Sequence, residues 1–232
     1  MTVVNQQDEA YDGLKKMVLT MQLKPGEKID KHRLEDKLGI GITPIREAII
    51  RLRREGLFDV VAQSGTYVAK IDLNILAEGR YARMNIERSV TADAVPLLTA
   101  DQIDDLERLL QMQGLYLRAG DYDKFFRADE DFHELFYKAT DKEFLWNWLR
   151  LLNLQFDRFR YLRLELPGLE WDNILRQHKE IVARAKAGDA QGAAAVIVDH
   201  LHMVDDDVKP VLAAYPEYFE KAKKQTEDSA VL

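Results

Sequence analysis

The sequence predicts a mainly α protein: a small α+β module over residues 1–71, then an all-α bundle of about six helices. Three observations carry that expectation. Apolar residues recur at helical spacing through most of the chain. Strand signal is confined to FDVVAQSGTYVAKI (58–71), where β-branched and aromatic residues flank the turn residues Gln63, Ser64 and Gly65. Charge is also uneven. Residues 1–70 hold 12 Lys and Arg against 10 Asp and Glu, whereas the rest hold 21 against 30, so a slightly basic module precedes a strongly acidic one.

Tyr11–Met21 reads as an amphipathic helix stopped by the turn LKPGEK. Asp30–Leu38, with Leu34 and Leu38 inward, is a short helix closed by Gly39. After GIGIT, Thr43 is the expected N-cap of a third helix and Pro44 its first residue, where a missing N–H costs nothing. That helix buries Ile45, Ala48, Ile49 and Leu52, ends near Gly56 and leads into the hairpin. From Asp72 onward, breaks at Pro96, Ala119-Gly120-Asp121, Thr140-Asp141, Pro167-Gly168 and Gly188-Asp189 leave about six helical segments. A helical domain is therefore expected over 72–215. The polar stretch that follows, 216–232, is expected to be a fraying tail.

Two short helices, a tight turn, a third helix with basic residues and a hairpin describe a winged helix-turn-helix. A recognition helix needs an apolar face for its own domain and a cationic face for phosphates and bases. Ile45, Ala48, Ile49 and Leu52 form the first, while Arg46, Arg51, Arg53 and Arg54 lie off it. Gln63, Ser64 and Thr66 near the hairpin tip are small hydrogen-bonding groups suited to a DNA backbone or minor groove. Arg46, Arg51, Gln63, Ser64 and Thr66 are thus expected DNA contacts.

The runs LKPGEKI (23–29), LEDKLGIGITPIREAIIRLRREGL (34–57) and SGTYV (64–68) resemble the DNA-binding domain of GntR-type bacterial transcription regulators. The resemblance implies that Thr43 and Arg46 contact DNA, Arg46 by a bidentate pair to guanine. It places another contact in the region of His32 and Arg33. One departure stands out: the family usually reads Ser-Arg-Thr-Pro, and this chain has Gly41-Ile42-Thr43-Pro44. An arginine that commonly touches DNA is an isoleucine here.

In the second domain, Phe125, Phe126, Asp129, Phe132, His133, Phe136 and Tyr137 fall on one buried helical stripe. A carboxylate there without a partner costs several kcal/mol, on the order of 2–7 for a polar group and more for a charge. Two further histidines occupy such stripes, His178 with Ile174, Ile181 and Val182, and His200 with Ala193, Val196 and Ile197. The two helices meet at Gly188-Asp189. In an antiparallel hairpin both histidines then sit about 16 Å from the turn, at the same level. His202 points to the opposite side. Asp129, His133, His178 and His200 together favour a shared divalent metal, Zn²⁺, Ni²⁺, Mn²⁺ or Co²⁺, with Zn or Ni favoured; the metal is the expected partner of Asp129.

The same residues, in D129-x-x-F-H133, Q177-H178-x-x-I181 and D199-H200-L201, resemble the all-helical FCD effector-binding domain of the FadR branch of GntR regulators. The resemblance implies that an Asp and three His hold a metal, completed by an effector, commonly a small carboxylic acid. Arg83 matches an arginine that often faces the cavity and could pair with a carboxylate. Arg158, Arg160 and Arg163 are further candidates.

With no cysteine, disulfides and thiolate metal sites are excluded. The N-terminus lacks a signal-peptide core and no apolar run approaches membrane-spanning length, so a cytoplasmic, nucleoid-associated protein with no membrane partner is expected. The leading expectation is a homodimeric regulator that reads a two-fold double-stranded DNA operator under control of metal and effector. A metalloenzyme using the Asp/His₃ site is the alternative, as is a regulator with a purely structural metal.

Overall fold

The computed structural model describes residues 6–164, 166, 171–202 and 204–221. Backbone contacts divide the chain into two compact units, one running to Leu73 and resuming at Ala214, the other Asn74–Ala213.

The first unit contains α1 (Gln6–Leu19), α2 (Lys31–Leu38), α3 (Ile42–Arg54), β1 (Phe58–Val61) and β2 (Gly65–Val68). Asp30 starts α2 because its Oδ1 accepts from the amides of His32 (2.9 Å) and Arg33 (3.3 Å), two donors with no helical partner. In α3 the start differs from the expectation. Gly41 is the N-cap, so Thr43 lies inside the first turn and Pro44 is the third residue. An amide there would still lack an intrahelical acceptor, so the proline remains harmless. The apolar face of α3 is as expected: Ile45, Ala48, Ile49 and Leu52 are buried, and α1 packs on it with Leu14, Met17 and Val18 buried.

β1 and β2 pair antiparallel, Phe58 opposite Val68 and Val61 opposite Gly65. Gln63 turns the chain with a left-handed φ of 58°. Side chains alternate along β2, and burying Val68 turns Thr66 inward with it. Thr66 is 5 % exposed, yet it still borders the concave surface that Ile42 and Arg46 line.

The expected tail needs a second correction. Residues Pro216–Tyr218 form a 3₁₀ turn, after which Ile71 N donates to Tyr218 O and Glu220 N donates to Ile71 O, each at 2.9 Å. Phe219 is buried in the first unit. One aromatic in a polar stretch anchors it. Positions 222–232 lie outside the described residues.

The second unit runs through α4 (Leu73–Ala94), a 3₁₀ turn, α5 (Ala100–Ala119), α6 (Tyr122–Ala139), α7 (Glu143–Leu152), α8 (Leu154–Arg163), α9 (Trp171–Lys186), α10 (Ala190–His202) and α11 (Val204–Ala214). One segment expected as a single helix divides into α7 and α8. The break between α7 and α8 falls at Asn153, whose Nδ2 donates to Leu149 O at 3.1 Å. There the Leu152 carbonyl closes on α4: a Cβ at Gly79 would lie 2.5 Å from Leu152 O, so only glycine admits the approach. α10 and α11 flank Met203, which lies outside the described residues. Phe132, Phe136, Tyr137 and Trp146 pack with Val90, Leu106, Leu149, Ile181, Val182 and Ile197 into the main core. Asp189 Oδ1 caps α10 through Gly192 N (2.9 Å), just after left-handed Gly188. No helix among the described residues is long and apolar enough to cross a membrane.

Candidate metal centre

Asp129 and His133 stand one turn apart on α6, His178 on α9 and His200 on α10, all buried. One donor atom from each lies within 4.8 Å of the others. Two donors about 2.0–2.2 Å from one ion stand at most about 4.4 Å apart, so the set needs only a small closure to ligate. His178 Nε2 is 3.2 Å from His200 Nε2 and 3.7 Å from Asp129 Oδ1.

Where the protons sit follows from the neighbours. Gln113 of α5 donates from Nε2 to Ala128 O at 3.1 Å, which leaves its Oε1 facing His178 Nδ1 at 2.7 Å. An amide oxygen can only accept, so His178 Nδ1 carries the hydrogen. Gln177 Oε1 faces His200 Nδ1 at 3.1 Å, and Glu87 Oε2 of α4 lies 2.6 Å from His133 Nδ1. Burial pushes His178 down to about 3, against the pull of Asp129, and pushes His200 well below its usual value. His178 thus turns an Nε2 lone pair toward His200 Nε2 and Asp129, a buried set of donors that a cation would draw together. His133 Nε2 is buried with no hydrogen-bond partner among the described residues. Nitrogen and oxygen donors without sulfur fit Zn²⁺, Ni²⁺, Mn²⁺ or Co²⁺.

Asp129 also has a partner within the protein. Arg160 of α8 places Nη2 2.5 Å from Asp129 Oδ2 and Nη1 3.0 Å from Glu130 Oε1. Burial opposes ionisation of Asp129, but the Arg160 guanidinium outweighs it and holds the carboxyl well below the usual carboxylate range. Arg83 lies in this network, with Nε 2.6 Å from Glu87 Oε1 and Nη1 3.4 Å from Glu130 Oε1. Burial would raise Glu87, yet Arg83 and His133 bring it down to about 2. Arg83 therefore fixes Glu87, which in turn faces His133. Arg83, Asp129, His133, Arg160, Arg163 and His200 line a cleft of about 30 Å³, close to the volume of one water. Arg163 also pairs with Asp207 of α11. Arg158 is buried against Gln155 Oε1 (3.0 Å) and does not line the cleft. His202 is exposed.

Sequence reasoning missed Glu87, Gln113, Gln177 and Glu130. Signals existed for three of them. Glu87 follows Arg83 by one turn, Gln113 interrupts the stripe Leu106, Leu109, Leu110, and Gln177 adjoins His178.

On the first unit, Arg33, Thr43 and Arg46 are exposed, and the His32 side chain is 84 % exposed. Lys28, Lys31, His32, Ile42 and Arg46 border a concave surface reaching the hairpin at Gly65. Arg51 is not on it. Five residues after Arg46 it has turned about 140° around the helix, and its guanidinium stacks 3.6 Å over Tyr11 and sits 3.4 Å from Asp8. Gln63 and Ser64 are exposed in the hairpin turn, Ser64 Oγ lying 2.6 Å from Tyr67 Oη.

An exposed basic recognition helix on a winged module, in one chain with a helical unit that buries an Asp/His₃ cluster, defines a DNA-binding transcription regulator. Residues 6–68 match the family described as bacterial regulatory proteins, gntR family, and residues 80–203 match the FCD domain; the chain belongs to the GntR family and carries an FCD domain. It is 27 % identical over 216 residues to the HTH-type transcriptional repressor RspR of Escherichia coli K12, covering 93 % of each chain. It is 31 % identical over 212 residues to an HTH-type transcriptional regulator of Streptomyces ambofaciens, covering 91 % of this chain and 88 % of that one. The solved structure of E. coli McbR/YncC shares the fold, with a TM-score of 0.76 at 22 % identity, over 92 % of this chain and 100 % of that one. These relatives are transcription regulators, not enzymes, which sets the metalloenzyme alternative aside.

Proposed function

We propose that residues 72–215 bind a divalent metal and a small carboxylic acid, and that the acid modulates how residues 1–71 hold a two-fold operator. The observation that supports this most is the convergence of His178 Nε2 and His200 Nε2, 3.2 Å apart, beside the buried Asp129 carboxylate. A bound metal supplies the positive charge that this donor set lacks at its centre. Asp129, His133, His178 and His200 hold it, and Glu87, Gln113 and Gln177 orient the rings. Arg160 and Arg163 present guanidinium groups to the same cleft, suited to a carboxylate. The cleft has room for an ion and must widen for an acid. That small volume favours, as a second reading, a purely structural metal.

His32, Arg33, Thr43, Arg46, Gln63, Ser64 and Thr66 form the DNA face in this reading, with Arg51 turned toward Tyr11 and Asp8 instead. The protein acts as a homodimer of the FadR branch on nucleoid DNA in the cytoplasm. α7 offers an interface: Phe144, Trp148 and Leu151 stand exposed on one face, at i, i+4 and i+7.

Mass spectrometry of metal content tests the centre. Wild type and His202→Ala should carry stoichiometric metal, and the His178→Ala, His200→Ala double variant should carry none; retention in the double variant refutes the four-ligand site. A thermal-shift screen of small carboxylic acids against metal-loaded and chelated protein tests the effector. Shifts confined to the loaded form support it, whereas metal-dependent stability without any acid response leaves the structural reading.

A further inference from the structure

The ligands come from α6, α9 and α10, and α5 contributes none. Yet Gln113 of α5 is fully buried and touches the centre from two sides. Its Nε2 donates to the carbonyl of Ala128, the residue before Asp129, and its Oε1 accepts from His178 Nδ1. One amide thus ties the backbone that carries the first ligand to the ring of the third. Phe132 stacks on that ring at 4.3 Å and 19°, which fixes its plane but leaves it free to turn within the plane. The Gln113 contact removes that freedom.

We infer that Gln113 is a positioning residue for the metal centre: it holds His178 in the tautomer that leaves Nε2 bare and sets α6 against α9 at ligating distance. The inference rests on the metal reading given above. Only an amide serves both ends. A carboxylate keeps the acceptor for His178 but puts an oxygen against Ala128 O, and a thioether offers no donor and only a weak acceptor. Orienting partners of this kind typically contribute about 10- to 100-fold to metal affinity.

Gln113→Met and Gln113→Glu separate the two ends. Two-bond ¹H–¹⁵N spectra of the chelated protein at pH 7 report the His178 tautomer, and competition with a chelator reports zinc affinity. Wild type should carry the His178 proton on Nδ1. Gln113→Met should lose that preference and bind zinc about 10- to 100-fold more weakly. Gln113→Glu should keep the tautomer and recover part of the zinc affinity, which a merely space-filling role for Gln113 does not predict. Circular dichroism checks folding, and if Gln113→Met fails to fold the wild-type tautomer decides. Wild-type protein that takes up no zinc overturns the metal reading and this inference with it. Zinc binding with the His178 proton on Nε2, or a folded Gln113→Met of unchanged zinc affinity, overturns this inference alone.

Discussion

Replacing Asp129 with alanine in metal-free protein tests whether Arg160 is its true counterion. Read from sequence, Asp129 has no partner but a metal, and its removal would relieve the metal-free protein. The structure reverses that sign, because Arg160 lies 2.5 Å from Asp129 and is itself buried. Removing one partner of a buried ion pair costs about 3–5 kcal/mol, since the other charge stays behind. Arg160 keeps Glu130 at 3.0 Å, but Glu130 is partly exposed and offsets only a fraction. The expected loss is about 2–4 kcal/mol, or roughly 6–12 °C in melting temperature for a unit of this size. All three tryptophans, Trp146, Trp148 and Trp171, lie in the helical unit, so fluorescence-detected urea unfolding in chelator reports that unit alone. Adding Arg160→Met should recover much of the loss, a coupling visible in a double-mutant cycle. Asp129→Ala as stable as wild type in chelator, or strictly additive losses, would refute the pairing.

Arg46→Ala should cost about 1–3 kcal/mol of operator affinity with the melting temperature nearly unchanged; undiminished affinity in a gel shift removes Arg46 from the DNA face. Ile42 borders the same concave surface, so Ile42→Arg should tighten DNA binding and steepen the slope of log K against log salt by about 0.9. Coincident slopes for the two proteins place position 42 clear of the phosphates. Stability of the chelated helical unit should fall as pH drops from 6.5 toward about 3, because His178 titrates at about 3 when folded against 6.5 when free, and the unfolded chain takes up the proton across that window. The slope reaches about 1.4 kcal/mol per pH unit for each such histidine, offset in part by Asp157, whose carboxyl is pushed up to about 7 by burial; a pH dependence of the urea midpoint unchanged in His178→Ala contradicts the buried neutral imidazole.

The four candidate ligands were legible because each breaks an apolar stripe, and because the Gly188-Asp189 turn puts His178 and His200 level by helical rise alone. The residues that orient them were not. Gln113 acts across helices, and a single glutamine in a stripe does not say which helix it meets. Arg83 was legible as an effector contact and does line the cleft, but its hold on Glu87, one turn on, was not, since nothing in the sequence shows that Glu87 faces His133. The α7–α8 break needed a contact with Gly79, more than seventy positions away, and no local rule for helix ends reaches that far.

The small ladder joining Ile71 to Tyr218 and Glu220 gives the molecule a modular seam. The chain leaves the first unit two residues beyond Ile71 and re-enters it a few residues before Tyr218, so departure and return are stitched to neighbouring backbone positions. A segment whose ends are held side by side behaves as an insert, and inserts can be exchanged without reopening the host. The helical unit should accordingly be replaceable as a cassette between Leu73 and Ala214, leaving Phe219 to seal the host. The same seam makes Phe219 part of the core of the first unit, far along the chain from the helices it seals.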